Sequence, residues 1–243
     1  AREESALLAK NEQLRANLLR SISHDLRTPL TTISGNAGIL LSNENSLDSA
    51  SRRQLYENIY DDSLWLINLV ENLLSVTRIE DGTMQLHLST ELMDEVITEA
   101  LQHVNRRKAD HEIFAVPSED FFLVKIDARL IMQVIINIVD NAMKYTPPGS
   151  RITISVRRQE NCVVVDIADN GKGLSDEAKA RVFDRFFVAG DGVVDSRRSL
   201  GLGLSLCKSI ITAHGGTIEA LDNQPHGALF RFTLPEEEVT LRE

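Results

Sequence analysis

The first eighty residues repeat apolar side chains at a helical interval, and then the repeat stops. Leu14, Leu18, Ile22, Leu26, Ile33, Ala37 and Leu40 recur mostly three to four residues apart, which gathers them on one helical face. A helix from the first residue to about residue 44 spans roughly 60 Å, a length that belongs to bundles and coiled coils. Pro29 lacks an N–H and is predicted to bend it. Gly35 and Gly38 are poor helix formers that loosen the helix or admit a close neighbour. Ser42-Asn43-Glu44-Asn45-Ser46 is a turn signal. A second helix is predicted from about 50 to about 80, with Leu55, Ile59, Leu66, Val70, Leu73 and Val76 on one face. Two helices joined by a short turn pack antiparallel. A hairpin alone buries too little, so two copies are expected to combine in a dimeric four-helix bundle. Asp81-Gly82 ends the second helix and divides the chain into residues 1–82 and 83–243.

Past that point short strand and helix patterns alternate. Gln85–Ser89, Ile113–Val116, Phe122–Ile126, Ile152–Arg157 and Cys162–Ala168 read as strands, and Thr217–Leu221 with Ala228–Leu234 reads as a closing hairpin. Helices are predicted over Leu92–Val104, from Asp127 as N-cap to Tyr145, over about 175–184, and over Gly201–His214. Pro147-Pro148-Gly149 stops the long one. The fold expected is an α/β sandwich, one mixed sheet with helices on one face. The Glu236-Glu237-Glu238 tail is expected to fray.

Composition excludes some classes. The net charge is −10, against a surface that coats nucleic acid. No apolar run approaches the roughly 18 residues of a membrane span, and no signal peptide precedes residue 20. The chain opens without a methionine inside a charged helical pattern. We expect a cytoplasmic portion of a longer protein, reaching a membrane only through a sensor region outside this sequence. Cys162 and Cys207 are too few and too far apart for a disulfide framework or zinc site, and read as reduced core thiols.

Four constellations carry chemistry. His24 beside Asp25 is the first. A lone helical histidine is usually an ordinary surface or core residue, but a neighbouring carboxylate orients one ring nitrogen and leaves the other nucleophilic. Arg27 lies within reach of phosphate oxygens. Second, Asn137 and Asn141 are four residues apart and place two amides on one side of an otherwise apolar helix. Asn141 offers an oxygen to Mg²⁺, Lys144 a point charge to phosphates, and Tyr145 a ring to a base or ribose. Third, Asp169-Asn170-Gly171-Lys172-Gly173 follows an apolar strand. Asp169 can accept a hydrogen bond, and Gly171 and Gly173 admit close backbone approach. Fourth, Leu200-Gly201-Leu202-Gly203-Leu204 opens a helix whose free N–H groups favour phosphate. Between the last two, Gly190 and Gly192 lie in a stretch, Ala189–Ser199, that fits a mobile lid. His214, before Gly215-Gly216, reads as a helix cap rather than a catalyst.

Ser23-His24-Asp25-Leu26-Arg27-Thr28-Pro29-Leu30 closely resembles the H box of sensor histidine kinases. Asn137–Tyr145 resembles their N box, Asp169–Gly173 the G1 box, Val182–Phe187 the F box and Leu200–Leu206 the G2 box. The resemblance covers residues 15 to 235 or so. It implies a dimerisation and phosphotransfer module followed by a Bergerat-type (GHKL) ATP-binding fold. By it, His24 is the phosphoacceptor, Asp25 the general base, and Thr28 the residue that places water in the reverse, phosphatase reaction. Asp169 takes the adenine amino group, the N–H groups of Leu202 and Leu204 between Gly201 and Gly203 hold phosphate, and ATP with Mg²⁺ is implied. Related ATPases of the gyrase and Hsp90 type carry a glutamate at the position of Asn137; the amide implies slow hydrolysis. The family often has a basic residue after the F-box aromatics, where this chain has Val188, so Arg185 is only a loose candidate for phosphate contact. The implied partners are a second copy of the chain and the receiver domain of a response regulator, with no nucleic acid. The segments Leu18–Gly35 and Thr217–Pro235 look most like the potassium-responsive kinases of the Kdp type. The resemblance implies phosphoryl transfer between domains, with the joint near Asp81-Gly82 flexing. An ATP-hydrolysing relative and a silent ATP-binding scaffold remain as rivals.

Overall fold

A computed structural model of the chain describes residues 23, 26–43, 46–80, 85–104, 110–118, 120–184, 187 and 201–237. His24, Asp25, the helix expected before residue 23, the Asp81-Gly82 joint, Arg185 and the Ala189–Ser199 stretch lie outside the described residues. The chain divides into two compact units, with the described residues up to Ser75 in one and nearly all later ones in the other.

In the first unit α1, residues 26–42, runs through a buried Pro29 without interruption. The following turn is closed by the Asn43 amide, which donates to Ile39 O at 3.0 Å. Asp48 then caps α2, Ser49–Glu80, by accepting from Ser51 N at 2.7 Å. Hydrogen bonds from the Ser51 side chain and from the Ser51 amide hold the Asp48 carboxyl below its usual range. Leu26, Ile33, Ala37 and Leu40 of α1 are half-buried, as are Leu55, Ile59, Leu66 and Leu73 of α2. The expected stripe needs one correction. Val70 is 45% exposed and Leu69 is buried in its place; both positions lie three or four residues from Leu66 and Leu73, so helical spacing alone allowed either. A Cβ on Gly35 or Gly38 would meet nothing within 4 Å, so neither admits a close neighbour within this chain.

The second unit is a two-layer α/β sandwich. Its five-stranded sheet runs β2 (Glu112–Ala115), β4 (Arg151–Gln159), β5 (Cys162–Asp169), β7 (Ala228–Pro235), β6 (Ile218–Asp222). β2 pairs with β4 in parallel and the other neighbours are antiparallel. Alternation sorts the side chains. Ile152, Ile154, Val163, Val165, Ile167, Phe230, Phe232 and Leu234 meet one face, where they pack with α3 (Met93–His103), α4 (Ala128–Tyr145) and α6 (Gly203–Ala213). On β5 and β7, Asp166 and Arg231 lie at the alternate positions and form a two-pronged ion pair, Nε to Oδ1 at 2.7 Å and Nη2 to Oδ2 at 2.9 Å. A short α5, Asp176–Arg181, is tied to β6 by Lys179, which reaches Asp222 at 2.7 Å.

Three expectations are corrected. The sheet is not single, since β1 (Ser89–Leu92) and β3 (Leu123–Ile126) form a separate two-stranded ribbon. Residues 85–88 form no strand, because β3 is used up by β1 and the His87 amide donates instead to Asp127 Oδ2 at 3.1 Å. The chain beyond Pro235 is not frayed at its start: Arg158 grips both carboxylate oxygens of Glu236, and Thr90 donates to Glu237. Of the two free thiols Cys207 is buried, whereas Cys162 is only half-buried at the start of β5. Among the described residues no helix is long and apolar enough to cross a membrane.

Candidate functional site

α4 and α6 lie side by side on the sheet, and their facing ends carry the polar residues singled out above. Asp127 starts α4 by accepting from Leu130 N. From that start Asn137, Asp140, Asn141 and Lys144 follow at helical spacing. A Cβ on Gly203, the first residue of α6, would lie 3.7 Å from Asn137 Cγ, so the two motifs meet. Asn137 Nδ2 is buried without a hydrogen-bond partner among the described residues, as is Asp140 Oδ1. Burial pushes the Asp140 carboxyl up to about 6. Burial likewise pushes the Cys207 thiol, which donates to Val134 O, up to about 12. The contact from Asn137 opposes that rise but is too poorly formed to satisfy Nδ2. Asn141 is half-buried and takes no partner among the described residues. The Lys144 ammonium is buried, 5.4 Å from the centre of the Tyr145 ring.

The N-cap of α6 is Leu202, whose side chain makes no cap bond. An α-helix leaves its first N–H groups without internal acceptors, so an apolar cap keeps this end open to an anion. Ser205 spends its hydroxyl on Leu202 O at 2.9 Å.

Asp169 closes the other side. It is buried at the end of β5, and its Oδ1 accepts from Gly171 N at 2.8 Å and from Ala228 N at 3.1 Å. Among the described residues nothing donates to Oδ2. Two fixed backbone donors on one oxygen leave the other as a pre-oriented acceptor. Asn170 pins the turn by accepting from Arg151 N at 2.8 Å. A Cβ on Gly171 would come within 2.6 Å of Thr146 Cγ2, so the turn lies hard against the residue that follows Tyr145. Thr146 donates to Ala142 O at 2.7 Å and faces His111 Nε2 at 3.0 Å, which makes Nε2–H the donor and leaves a buried Nδ1 without a partner among the described residues. Phe183 packs edge-on against Phe230, and the Arg181 guanidinium lies 4.8 Å from the centre of the Phe187 ring, so these aromatics serve packing.

The fold thus brings together Asn137, Asn141, Lys144, Tyr145, Asp169, Gly171, Gly173 and the Gly201–Leu204 turn within one unit. Thr28 and Arg27 belong to the other unit, exposed on α1. His214 is a C-cap, and more than that: its Nδ1–H donates to Ile210 O at 2.8 Å and its Nε2 accepts from Asp127 N at 3.0 Å, tying the end of α6 to the start of α4. Sequence reading passed over Asp140, whose position inside the Asn-rich string was the available signal, and Thr146 and His111, which carried none.

Two family models match. One, the His Kinase A (phospho-acceptor) domain, covers residues 14–82; the other, histidine kinase-, DNA gyrase B- and HSP90-like ATPase, covers residues 126–238. The catalytic domain of histidine kinase ThkA superposes with a TM-score of 0.53 and 30% identity, over 63% of this chain and 97% of that domain. The chain belongs to the sensor histidine kinases. The chain is 46% identical over 97% of its length to the sensor protein KdpD of Clostridium acetobutylicum, and 35% identical over 97% to KdpD of Escherichia coli strain K12. It spans only 26% of either protein. Its second unit has the fold of the ATPase family, which makes ATP the nucleotide to fit. The pre-oriented Oδ2 of Asp169, the orphaned amide of Asn137 and the uncapped start of α6 fit its base and phosphates. Among the described residues no three His, Cys, Asp or Glu side chains are grouped to hold a metal. A divalent cation here would share phosphate oxygens with Asn141 rather than sit in a protein cage.

Proposed function

We propose that this chain is the catalytic core of a sensor histidine kinase, with residues 1–82 as dimerisation and phosphoacceptor domain and residues 83–243 as ATP-binding domain. His24 Nε2 attacks the γ-phosphorus of ATP. The P–O bond to ADP breaks as the N–P bond forms, and Asp25 takes the imidazole proton. Asn141 would hold Mg²⁺, which would supply charge neutralisation at the phosphates. Asp169 Oδ2 reads the adenine amino group, the N–H groups of Leu202 and Leu204 hold phosphate, and Lys144 adds a positive charge. Phosphoryl transfer asks little covalent help of a protein, so positioning and charge carry the rate. The phosphoryl group then passes to an aspartate of a response regulator; Arg27 meets phosphate oxygens during transfer at His24, and Thr28 places water when the protein works in reverse and dephosphorylates its partner.

The observation that carries this reading is the convergence of Asp169, Asn137, Asn141 and the uncapped α6 in a chain whose H box is intact. Asn137 favours a kinase over an ATPase, because an amide cannot act as general base toward water. The hairpin supports a homodimer. Leu69 is its one buried apolar side chain among those of Leu, Ile and Val described there, while Leu30, Ile67 and Leu74 are half exposed or more. Ser23, Leu26, Arg27, Leu30 and Thr31 line an open groove along α1 that a second copy fills.

The test is incubation with γ-labelled ATP and Mg²⁺, wild type beside His24→Gln. The expected result is acid-labile, alkali-stable label on the wild type alone. Steady phosphate release with no labelled protein would favour the ATPase instead.

A further inference from the structure

The turn between β6 and β7 holds the proposed base-reading carboxylate from behind. Asn223 Nδ2 donates to the backbone carbonyl of Asp169 at 2.8 Å. Its amide is itself fixed, since Oδ1 accepts from Gln224 N at 2.9 Å and its own N–H closes the turn on Gly227 O at 2.9 Å. Three residues after Asn223, His226 Nδ1 lies 3.2 Å from Gly171 O, placed to donate to it. Ala228 N supplies one of the two donors on Asp169 Oδ1. The approach is tight: a Cβ on Gly227 would lie 1.9 Å from Asp169 O, and φ there is 120°, so only glycine fits. Asp169 therefore receives bonds from this turn on both its backbone and its side chain, across a sequence gap of more than fifty residues.

We infer that Asn223 and His226 are positioning residues for purine selection: they fix the rotation of Asp169 so that Oδ2 meets an exocyclic amino group and repels a carbonyl oxygen. The inference rests on the reading of Asp169 as the base-binding carboxylate. A hydrogen-bond acceptor discriminates sharply only if it cannot turn away from the wrong partner. With the backbone of Asp169 pinned by Asn223, and Gly171, whose N–H donates to Asp169 Oδ1, held at its carbonyl by His226, the carboxylate cannot swing to relieve repulsion from an oxo group.

ATP and ITP are the probes, because they differ at the position that Asp169 reads, an amino group in one and an oxygen in the other. Affinities are measured by calorimetry on the whole chain, wild type beside Asn223→Asp, Asn223→Ala and His226→Ala. Asn223→Asp keeps the shape and the acceptor for Gln224 N but replaces the donor with a repelling oxygen. Wild type is expected to prefer ATP strongly. Both Asn223 variants are expected to lose about tenfold in ATP affinity and less in ITP affinity, so the ratio narrows. A purely structural role would lower both affinities or the stability and leave the ratio unchanged; that result overturns the inference. His226 is exposed, so its variant keeps the test open if the Asn223 variants do not fold. There a narrowing of about threefold is expected, and an unchanged ratio refutes. A wild type that binds ATP with no preference over ITP would sink the reading of Asp169 itself, and the inference with it.

Discussion

At the scale of single residues, Asp140 carries a testable charge. Its folded carboxyl is raised from 3.8 to about 6 by burial, so the folded state resists ionising it. The penalty is fully present above about pH 6, where the folded carboxyl is ionised, and fades as pH falls toward the unfolded value near 4. Asp140→Asn is therefore expected to stabilise the protein at pH 8, by up to roughly 3 kcal/mol, and to do almost nothing at pH 4. Urea midpoints of the two proteins at each pH check this; equal gains at both would place the effect outside titration. A buried carboxyl beside an Asn pair was readable as a string but not as a burden, because only the fold shows that Asp140 Oδ1 finds no partner among the described residues.

At the scale of elements, two joints decide how the site is held. The first is His214, which links α6 to α4. His214→Phe keeps the bulk but strands the Asp127 amide, and is expected to cost about 1–3 kcal/mol of stability in thermal or urea unfolding. The second is the contact of Gly171 with Thr146. Gly171→Ala is expected to weaken ATP binding about tenfold, and Thr146→Ser, which removes Cγ2 and keeps the hydroxyl, to restore most of that in the double variant. Additive losses in calorimetry would rule the contact out as the cause. These joints explain what a linear reading reached and what it missed. Periodicity and caps located α3, α4, α6 and both strands of the closing hairpin, since each is written in neighbouring residues. Partners separated by many residues, such as Asp127 with His214 or Thr146 with His111, leave no local trace. The expected strand at Gln85–Ser89 failed for the same reason: alternation was present, but strand identity depends on who pairs, and β3 had only four residues to offer.

At the scale of the whole molecule, the hairpin's exposed apolar face predicts association. Wild type is expected to sediment as a dimer, and Ile67→Glu with Leu74→Glu to sediment as a monomer that still binds ATP in its second unit. A monomeric wild type at micromolar concentration would remove the bundle. The second unit makes a different kind of demand on the chain. Its central strand β5 is completed by β7, and the β1–β3 ribbon is fastened by Glu236 and Glu237, with Thr90 and Glu237 separated by 147 positions. Contacts of such long range are slow to close. During synthesis, then, the sheet of the ATP-binding half stays open along one side of β5 until β7 has left the ribosome, while the helical hairpin can form long before.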